Sequence, residues 1–441
     1  MPIFIALIIS FLLLFVSVIH GYFIAYPLFL CLCLISAALI HQGFSPKTIV
    51  RMAIFGSRQS WPVIKILLLI GAVTAVWMAA GTVPALVYYG IQFISPHGFI
   101  VTAFGLTSLV SLLLGTSFGT ASTIGVALMM MAKGSDVNPH LIAGAIIAGA
   151  YVGDRSSPMS SSAHLVAIIT RTNLYTNLRN MIATGILPFG ISLVLYWLLS
   201  WAHPVTLSQS ELPQELDRLF QLHWLVLLPA FTLLVLAVAR VQTTIAMLSS
   251  LAVAAIVAVQ IQQISLGQVV QFAIVGFSLS EDTPVRSILV GGGMLAMAKV
   301  CLVVILSTAM AGMLSGTRSL QAITRWLQPL QSPSSLFLGT TVVGSAAAAF
   351  GCTQTIAILL TQQLVQPNYR NNHQLALDLE NTVVVLAPLI PWNIAGLVPA
   401  TALLTNWGFI PYAFYLYLLP ILTFVQLRQG QSPIERRLKT R

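Results

Sequence analysis

Long apolar runs, many in number and seldom broken by a charge, leave this chain few ways to fold. They lie near residues 2–19, 22–40, 62–80, 99–114, 139–152, 180–202, 222–240, 243–262, 288–314, 334–350, 379–400 and 405–425. Hydrocarbon offers backbone groups no partner, so only α-helices and closed β-barrels pair every N–H and C=O within it. Runs of roughly 17–25 residues match a helix crossing a bilayer core of about 30 Å. Barrel strands would be about 10 residues long and alternate in polarity; the stretch from Pro2 to Ile19 does not alternate. The expected fold is therefore all-α, a polytopic transmembrane helical bundle of about 11–13 spans.

Charge argues the same way. Only 7% of the residues are charged, against about 25% in soluble domains. The net charge of +10 comes from 20 Lys and Arg scattered over loops and the C-terminal tail. With no basic stripe and no soluble domain to carry one, a nucleic-acid partner is not expected, and the positive-inside rule explains the distribution better. Lys47, Arg51, Arg58 and Lys65, and in the tail Arg428, Arg436, Arg437, Lys439 and Arg441, are predicted to lie in the cytoplasm. Both termini are then cytoplasmic, and the setting is a multi-pass inner (cell) membrane protein in contact with the lipid bilayer. The acid-rich loop with Glu211, Glu215, Asp217 and Arg218 is predicted to face outward. The stretch Glu281–Asp282–Thr283–Pro284 is assigned to neither side.

The first apolar run follows no charged segment and lacks a clear cleavage site, so it is read as a retained helix. Cys31, Cys33, Cys301 and Cys352 all sit in apolar runs, which argues against a disulfide framework. Cys31 and Cys33 have no His or acid nearby and are read as packing residues, not metal ligands. No Walker loop, HExxH or nucleophile elbow is present. An enzyme is not expected, and no cofactor is implied.

The chain divides into an N-terminal transmembrane half (1–202, with a repeat at about 61–202), a connecting loop (203–221), a C-terminal half (222–425) and a basic tail (426–441). Polar, small and glycine-rich stretches interrupt each half. Gly115-Thr116-Ser117-Phe118-Gly119-Thr120-Ala121-Ser122-Thr123 in the first half is echoed in the second by Val343-Gly344-Ser345 through Gly351-Cys352-Thr353-Gln354-Thr355. Ser157-Pro158-Met159-Ser160-Ser161-Ser162-Ala163 is echoed by Ala387-Pro388-Leu389-Ile390-Pro391-Trp392-Asn393. Pro removes a backbone donor and Gly loosens a helix. The groups so freed are tolerable at membrane depth only against protein or a water-filled cavity. A single such kink would suit packing, since small residues let helices approach. Two per half, in matching order, point to a transporter binding site.

Ionisable residues at membrane depth are few, and such residues tend to mark ion or proton paths. Asp154 and Arg155 sit at a break, where they suit either a neutral pair holding it together or, for Asp154, proton exchange or cation contact. Asp378 and Glu380 open the span 379–400. His164 follows the serine run and suits either proton coupling or a hydrogen-bonded structural place. Lys299 suits snorkelling or pairing with an acid.

With these residues in view, the sequence resembles the NhaC family of sodium/proton antiporters, within the wider ion-transporter superfamily, from about Trp61 to Leu419. The likeness is carried by Trp77-Met78-Ala79-Ala80-Gly81-Thr82-Val83-Pro84 with Tyr88-Tyr89-Gly90, by Gly115–Thr120, by Gly149-Ala150-Tyr151-Val152-Gly153-Asp154-Arg155-Ser156-Ser157-Pro158-Met159-Ser160, and by Leu379-Glu380-Asn381 with Pro388–Asn393. The resemblance implies inverted repeats with discontinuous helices or hairpins, exchange of internal Na+ for external H+, and a homodimer. Asp154, Ser157, Ser160, Glu380 and Asn393 match family motif positions. The candidate ion-binding set is Asp154, Ser157, Ser160, Ser161, Thr116, Thr120, Thr353, Glu380, Asn381 and Asn393, with Asp154 as the Na+ ligand and Asp154, Glu380 and His164 as proton-coupling groups.

The departures from the family pattern bear on the cargo. The family usually has Asp where this chain has Ser161, Thr where it has Ala163 and Asn where it has His164. It also carries an acid near Thr353 and another at the position of Asn381. Ser161, Thr353 and Asn381 keep neutral oxygens for a hard cation. Fewer acids, with Arg155 and His164 close by, also suit a small organic solute such as an amino acid or carboxylate, coupled to protons or sodium.

Overall fold

A computed structural model describes residues 3–58, 60–93, 96–132, 137–204, 212–239, 241–278, 291–315 and 332–429. Glu211, the Glu281–Asp282 stretch and the basic tail beyond 429 lie outside the described residues. The described chain is helical, with a single isolated bridge between Phe277 and Gly291 in place of any strand.

The helices are α1 (Ile3–Ile19), α2 (Ala25–His41), α3 (Pro46–Arg58), α4 (Trp61–Ala79), α5 (Thr82–Phe93), α6 (Phe99–Leu114), α7 (Ser117–Ala132), α8 (Pro139–Ser156), α9 (Ser161–Thr170) and α10 (Leu174–Ala202). The second half follows with α11 (Leu212–Leu219), α12 (Leu228–Val238), α13 (Thr243–Gln260), α14 (Leu266–Val275), α15 (Ala298–Ser315), α16 (Pro333–Gly351), α17 (Gln354–Val365), α18 (Asn372–Asn381), the short turn α19 (Val383–Leu386), α20 (Ile394–Ala402) and α21 (Phe414–Arg428). Among the described residues, four helices are long and apolar enough to cross a membrane, namely Trp61–Ala79, Leu174–Ala202, Leu295–Leu314 and Pro333–Gly351. A fifth crossing follows if Asn372–Leu389 and Ile394–Ala402, bent by 55°, form one span. Eight further apolar helices are shorter, at 10–17 residues. The outer faces are apolar: Ile168 is 72% exposed and Ile186 66%, as lipid requires and water does not tolerate over a continuous surface.

Among the described residues, the three largest packed cores organise the bundle. One joins α4 and α5 to α12–α14. A second joins α1–α3 to α15 and touches Cys352 and Trp392. The largest combines α6, α8 and α16–α21, and so encloses both pairs of interrupted helices. Its tightest crossing is α6 on α8. A Cβ on Gly149 would stand 2.1 Å from the Thr107 hydroxyl, and one on Gly153 would stand 2.0 Å from the Ser111 carbonyl carbon. Glycine at these two positions, four residues apart, lets the backbones touch, the small-residue packing that replaces the hydrophobic effect in lipid. The Ser111 hydroxyl then donates to the Ala150 carbonyl and accepts from the Gly153 N–H at 3.1 Å. Closely seated α6 and α8 fix the next residues along, which are those of the site.

Candidate functional site

Both halves break the chain in the same way. α6 ends at Gly115 in the left-handed region (φ 69°), Thr116 is extended (φ −147°), and its hydroxyl accepts from the Gly119 N–H to start α7. α16 ends at Cys352, also left-handed (φ 54°), Thr353 is extended (φ −136°), and its hydroxyl accepts from the Ile356 N–H to start α17. Next, Asn138 caps α8 through the His140 N–H, and Asn371 caps α18 through the His373 N–H. Each is followed 22 residues later (138 to 160, 371 to 393) by a second cap: Ser160 accepts from the Ala163 N–H and Asn393 from the Ala395 N–H. In this register Pro158 corresponds to Pro391, three residues past the Pro388 with which the sequence comparison pairs it, because the capping geometry and not the local composition sets the alignment.

The prolines expose carbonyls. Pro158 lacks the N–H that would close a helical bond to residue 154, and the Asp154 carbonyl instead accepts from the hydroxyls of Ser160 and of Ser162, the latter at 2.7 Å. Pro388 stands in the same relation to Val384, whose carbonyl accepts from Gln354 Nε2 at 3.0 Å.

Asp154, in the last turn of α8 and buried, is where the breaks of the two halves meet. One carboxylate oxygen accepts from the Ser117 N–H, at the start of α7, at 3.2 Å; the other accepts from Gln354 Nε2, at the start of α17, at 3.1 Å. A carboxylate at a helix N-terminus is stabilised by the unpaired amides there and by the helix dipole.

Arg155 points elsewhere. It is fully buried, donates to Asn381 Oδ1 through Nε (3.1 Å) and Nη2, and donates further to the Met181 carbonyl (3.0 Å), the Thr184 hydroxyl (2.8 Å) and the Tyr415 hydroxyl (3.3 Å). All these partners are neutral, so Asp154 and Arg155 form no pair across the break. The neighbouring Glu380 is wholly buried, and neither of its carboxyl oxygens has a hydrogen-bond partner. It directly precedes Asn381, whose Oδ1 accepts from Arg155. Asp378, by contrast, is satisfied: it accepts from the Tyr369 hydroxyl at 2.8 Å and from Gln374 Nε2 at 2.7 Å.

Of the other residues singled out in sequence, Thr116 and Thr353 cap the two starts flanking Asp154, and Thr120 donates to the Thr116 carbonyl at 2.8 Å. Ser160 holds the Asp154 carbonyl, and Asn381 holds Arg155. Ser157 donates to the Leu112 carbonyl at 2.7 Å, tying the break to α6. Asn393 donates to the Ala348 carbonyl at 2.7 Å, tying the other break to α16. Ser161 and His164 lie on the exposed side of α9, His164 Nδ1 being 2.7 Å from the Ser160 carbonyl. Lys299 is exposed at the start of α15.

Gln354 and Ser117 escape the sequence reading. The available signal was positional: each directly follows the threonine cap of its break. No cluster of three or more His, Cys, Asp or Glu is present among the described residues. Oxygens of one carboxylate, freed carbonyls and hydroxyls are donors suited to a hard cation.

A lipid-faced helical bundle whose broken helices meet at buried carboxylates belongs to the class of membrane ion and solute transporters. A sequence profile described as the Na+/H+ antiporter family matches residues 149–428, and the chain belongs to that family. Its relatives include an uncharacterized Na+/H+ antiporter of Haemophilus influenzae, 30% identical with 80% of each chain covered. A malate-2H+/Na+-lactate antiporter of Bacillus subtilis is 27% identical, with 85% of this chain and 82% of the relative covered. The Na+/H+ antiporter NhaC of Alkalihalophilus pseudofirmus is 29% identical, with 82% and 80% covered.

Proposed function

We propose that this protein is a secondary antiporter exchanging internal Na+ for external H+ across a bacterial-type inner (cell) membrane, with both termini in the cytoplasm and Asp154 and Glu380 as its exchanging groups. The observation that carries the proposal is the meeting of both broken helix starts at the Asp154 carboxylate, together with the buried, unpartnered carboxyl of Glu380, next in sequence to the Asn381 that holds Arg155. A carboxyl group with no donor at either oxygen is stable in apolar surroundings only when a proton or a cation neutralises it. A group that accepts either, but not both together, converts a proton gradient into cation movement when the two sides gain access in turn. Asp154 and Glu380 supply the carboxylates that take either cation or proton, the freed carbonyls and hydroxyls of the breaks supply the remaining oxygens, and Arg155 balances charge while Asn381 holds it aside. The basic segment Lys47–Lys65 and the basic tail support the cytoplasmic placement of both termini.

Dequenching of a pH-sensitive dye in everted vesicles tests the proposal. Na+ added to energised vesicles should release protons from the wild type. Asp154→Asn should reduce the response at least about a hundredfold, two tenfold steps of about 1.4 kcal/mol each, while membrane expression stays near normal. Full activity in that variant would remove Asp154 from the site.

A second reading is export or uptake of a small organic anion together with these ions. It is favoured by the malate/lactate relative and by the neutral residues at Ser161, Thr353 and Asn381. Weighing against it, Arg155, the natural carboxylate anchor of the site, already has its donors engaged by protein groups. Labelled malate or lactate moving with protons, without any response to Na+ alone, would favour this second reading.

A further inference from the structure

We infer that the Gln354 side chain is a built-in cation surrogate that holds the cation site closed until Na+ displaces it; the inference deepens the antiport reading and rests on it. The geometry is specific. Gln354 Nε2 donates to a carboxylate oxygen of Asp154 at 3.1 Å and to the Val384 carbonyl at 3.0 Å. A single electropositive nitrogen thus sits between one anionic oxygen and one neutral oxygen drawn from different halves of the chain. Carboxylate and carbonyl oxygens of this kind are ligands a hard cation takes. Neither oxygen is idle by accident. Val384 presents its carbonyl because Pro388, four residues on, has no N–H to close the helical bond. Asp154 reaches the same point because Pro158 ends its helix and Ser160 and Ser162 secure its backbone carbonyl.

The two proline-freed carbonyls are treated differently, and this asymmetry assigns the role. The Asp154 carbonyl is satisfied by serines of its own break, from which it cannot separate. The Val384 carbonyl is satisfied by the tip of a side chain on another helix, which separates by rotating about its side-chain bonds. Gln354 is half-buried, whereas Asp154 and Val384 are buried, so the amide is the member of the trio that a solute meets first. In the closed state the amide N–H groups occupy the two oxygens. In the loaded state Na+ occupies them, and the amide rotates away. Gln354 is therefore a positioning residue whose signature is competition with Na+.

Purified wild type, Gln354→Ala and Gln354→Lys, reconstituted in the same proteoliposomes, provide the test, with half-saturating Na+ and maximal rate measured separately. In Gln354→Ala the competing donor is gone, so half-saturating Na+ should fall roughly tenfold, about 1.4 kcal/mol, with the maximal rate changed far less. In Gln354→Lys a tethered ammonium takes the place of the amide permanently. Antiport should be lost, and the thermal stabilisation that Na+ gives the wild type should vanish while the protein stays folded. An unchanged or higher half-saturation in Gln354→Ala overturns the inference, as does Na+-stimulated antiport at the wild-type rate in Gln354→Lys. With a responsive wild type, either result leaves the antiport reading intact. A wild type that gives no Na+ response at all removes both.

Discussion

The two interrupted helix pairs have nearly the same backbone and different means of holding it. In the first half the freed carbonyl is satisfied within its own break: Gly115 turns the chain without strain, Ser160 and Ser162 satisfy the carbonyl that Pro158 frees, and Ser157 is bonded to the helix packed alongside. In the second half the same turn falls on Cys352, the cap is the longer Asn393, and the carbonyl freed by Pro388 depends on Gln354 from another helix. The freed backbone carbonyl of the first break is held by that break's own serines, and that of the second by a side chain that can leave. A transport cycle needs one rigid reference and one element with two arrangements, since a solute shifts only an equilibrium between states it contacts differently.

The largest expected effect tests the rigid member. Gly115 combines φ 69° with a contact in which an added Cβ would lie 2.5 Å from the Met159 carbonyl carbon and 2.6 Å from the Ser160 nitrogen. Left-handed backbone costs a non-glycine residue roughly 1–2 kcal/mol, and overpacking a tight site adds about 1–3. Gly115→Ala should therefore cost about 3 kcal/mol and lower the apparent melting temperature in detergent by several degrees. It should also impair antiport, because the overlap falls on the break that carries Asp154. A variant as stable and active as the wild type would show that the first break is not rigid.

A smaller effect separates local from borrowed support. Ser160→Ala removes the cap on the Ala163 N–H, but the Asp154 carbonyl keeps the Ser162 hydroxyl, so the loss should be near that of one cap, about 1 kcal/mol. Asn393→Ala removes the cap on the Ala395 N–H and also leaves the buried Ala348 carbonyl without its donor. An orphaned buried acceptor adds roughly 1 kcal/mol or more. Thermal unfolding should rank Asn393→Ala below Ser160→Ala, and the reverse order would contradict the view that Asn393 both caps α20 and secures its break to α16.

How much of this was legible beforehand follows from the same residues. The all-α membrane bundle was legible because apolar run length and lipid together permit little else. The positions of the breaks were legible because Gly115, Pro158 and Pro391 act on their own backbone. The partners were not. Nothing in the sequence near Asp154 says that its second oxygen meets Gln354, 200 residues away, or that Arg155 turns toward Asn381 rather than toward its neighbour. Those choices are made by which helices pack together. The register of the two halves was misjudged by three residues because Pro388 and Pro391 look alike in composition, and only the cap at Asn393 tells them apart.

The smallest effect bears on why the second break tolerates Cys352. Its φ of 54° is a left-handed value that glycine adopts freely, and its side chain is buried in the core formed by α1–α3 and α15. Two terms then oppose each other in Cys352→Gly: relief of backbone strain, about 1 kcal/mol, against loss of a buried sulfur and its contacts, of similar size. The net change should be within about 0.5 kcal/mol. Cys352→Ala separates the two terms, because it discards the sulfur and keeps the strain, so it should be about 1 kcal/mol less stable than the glycine variant. If the alanine variant proves the more stable, the left-handed turn is not what limits this position. The likeness between Gly115 and Cys352 would then be one of shape without a shared energetic cause.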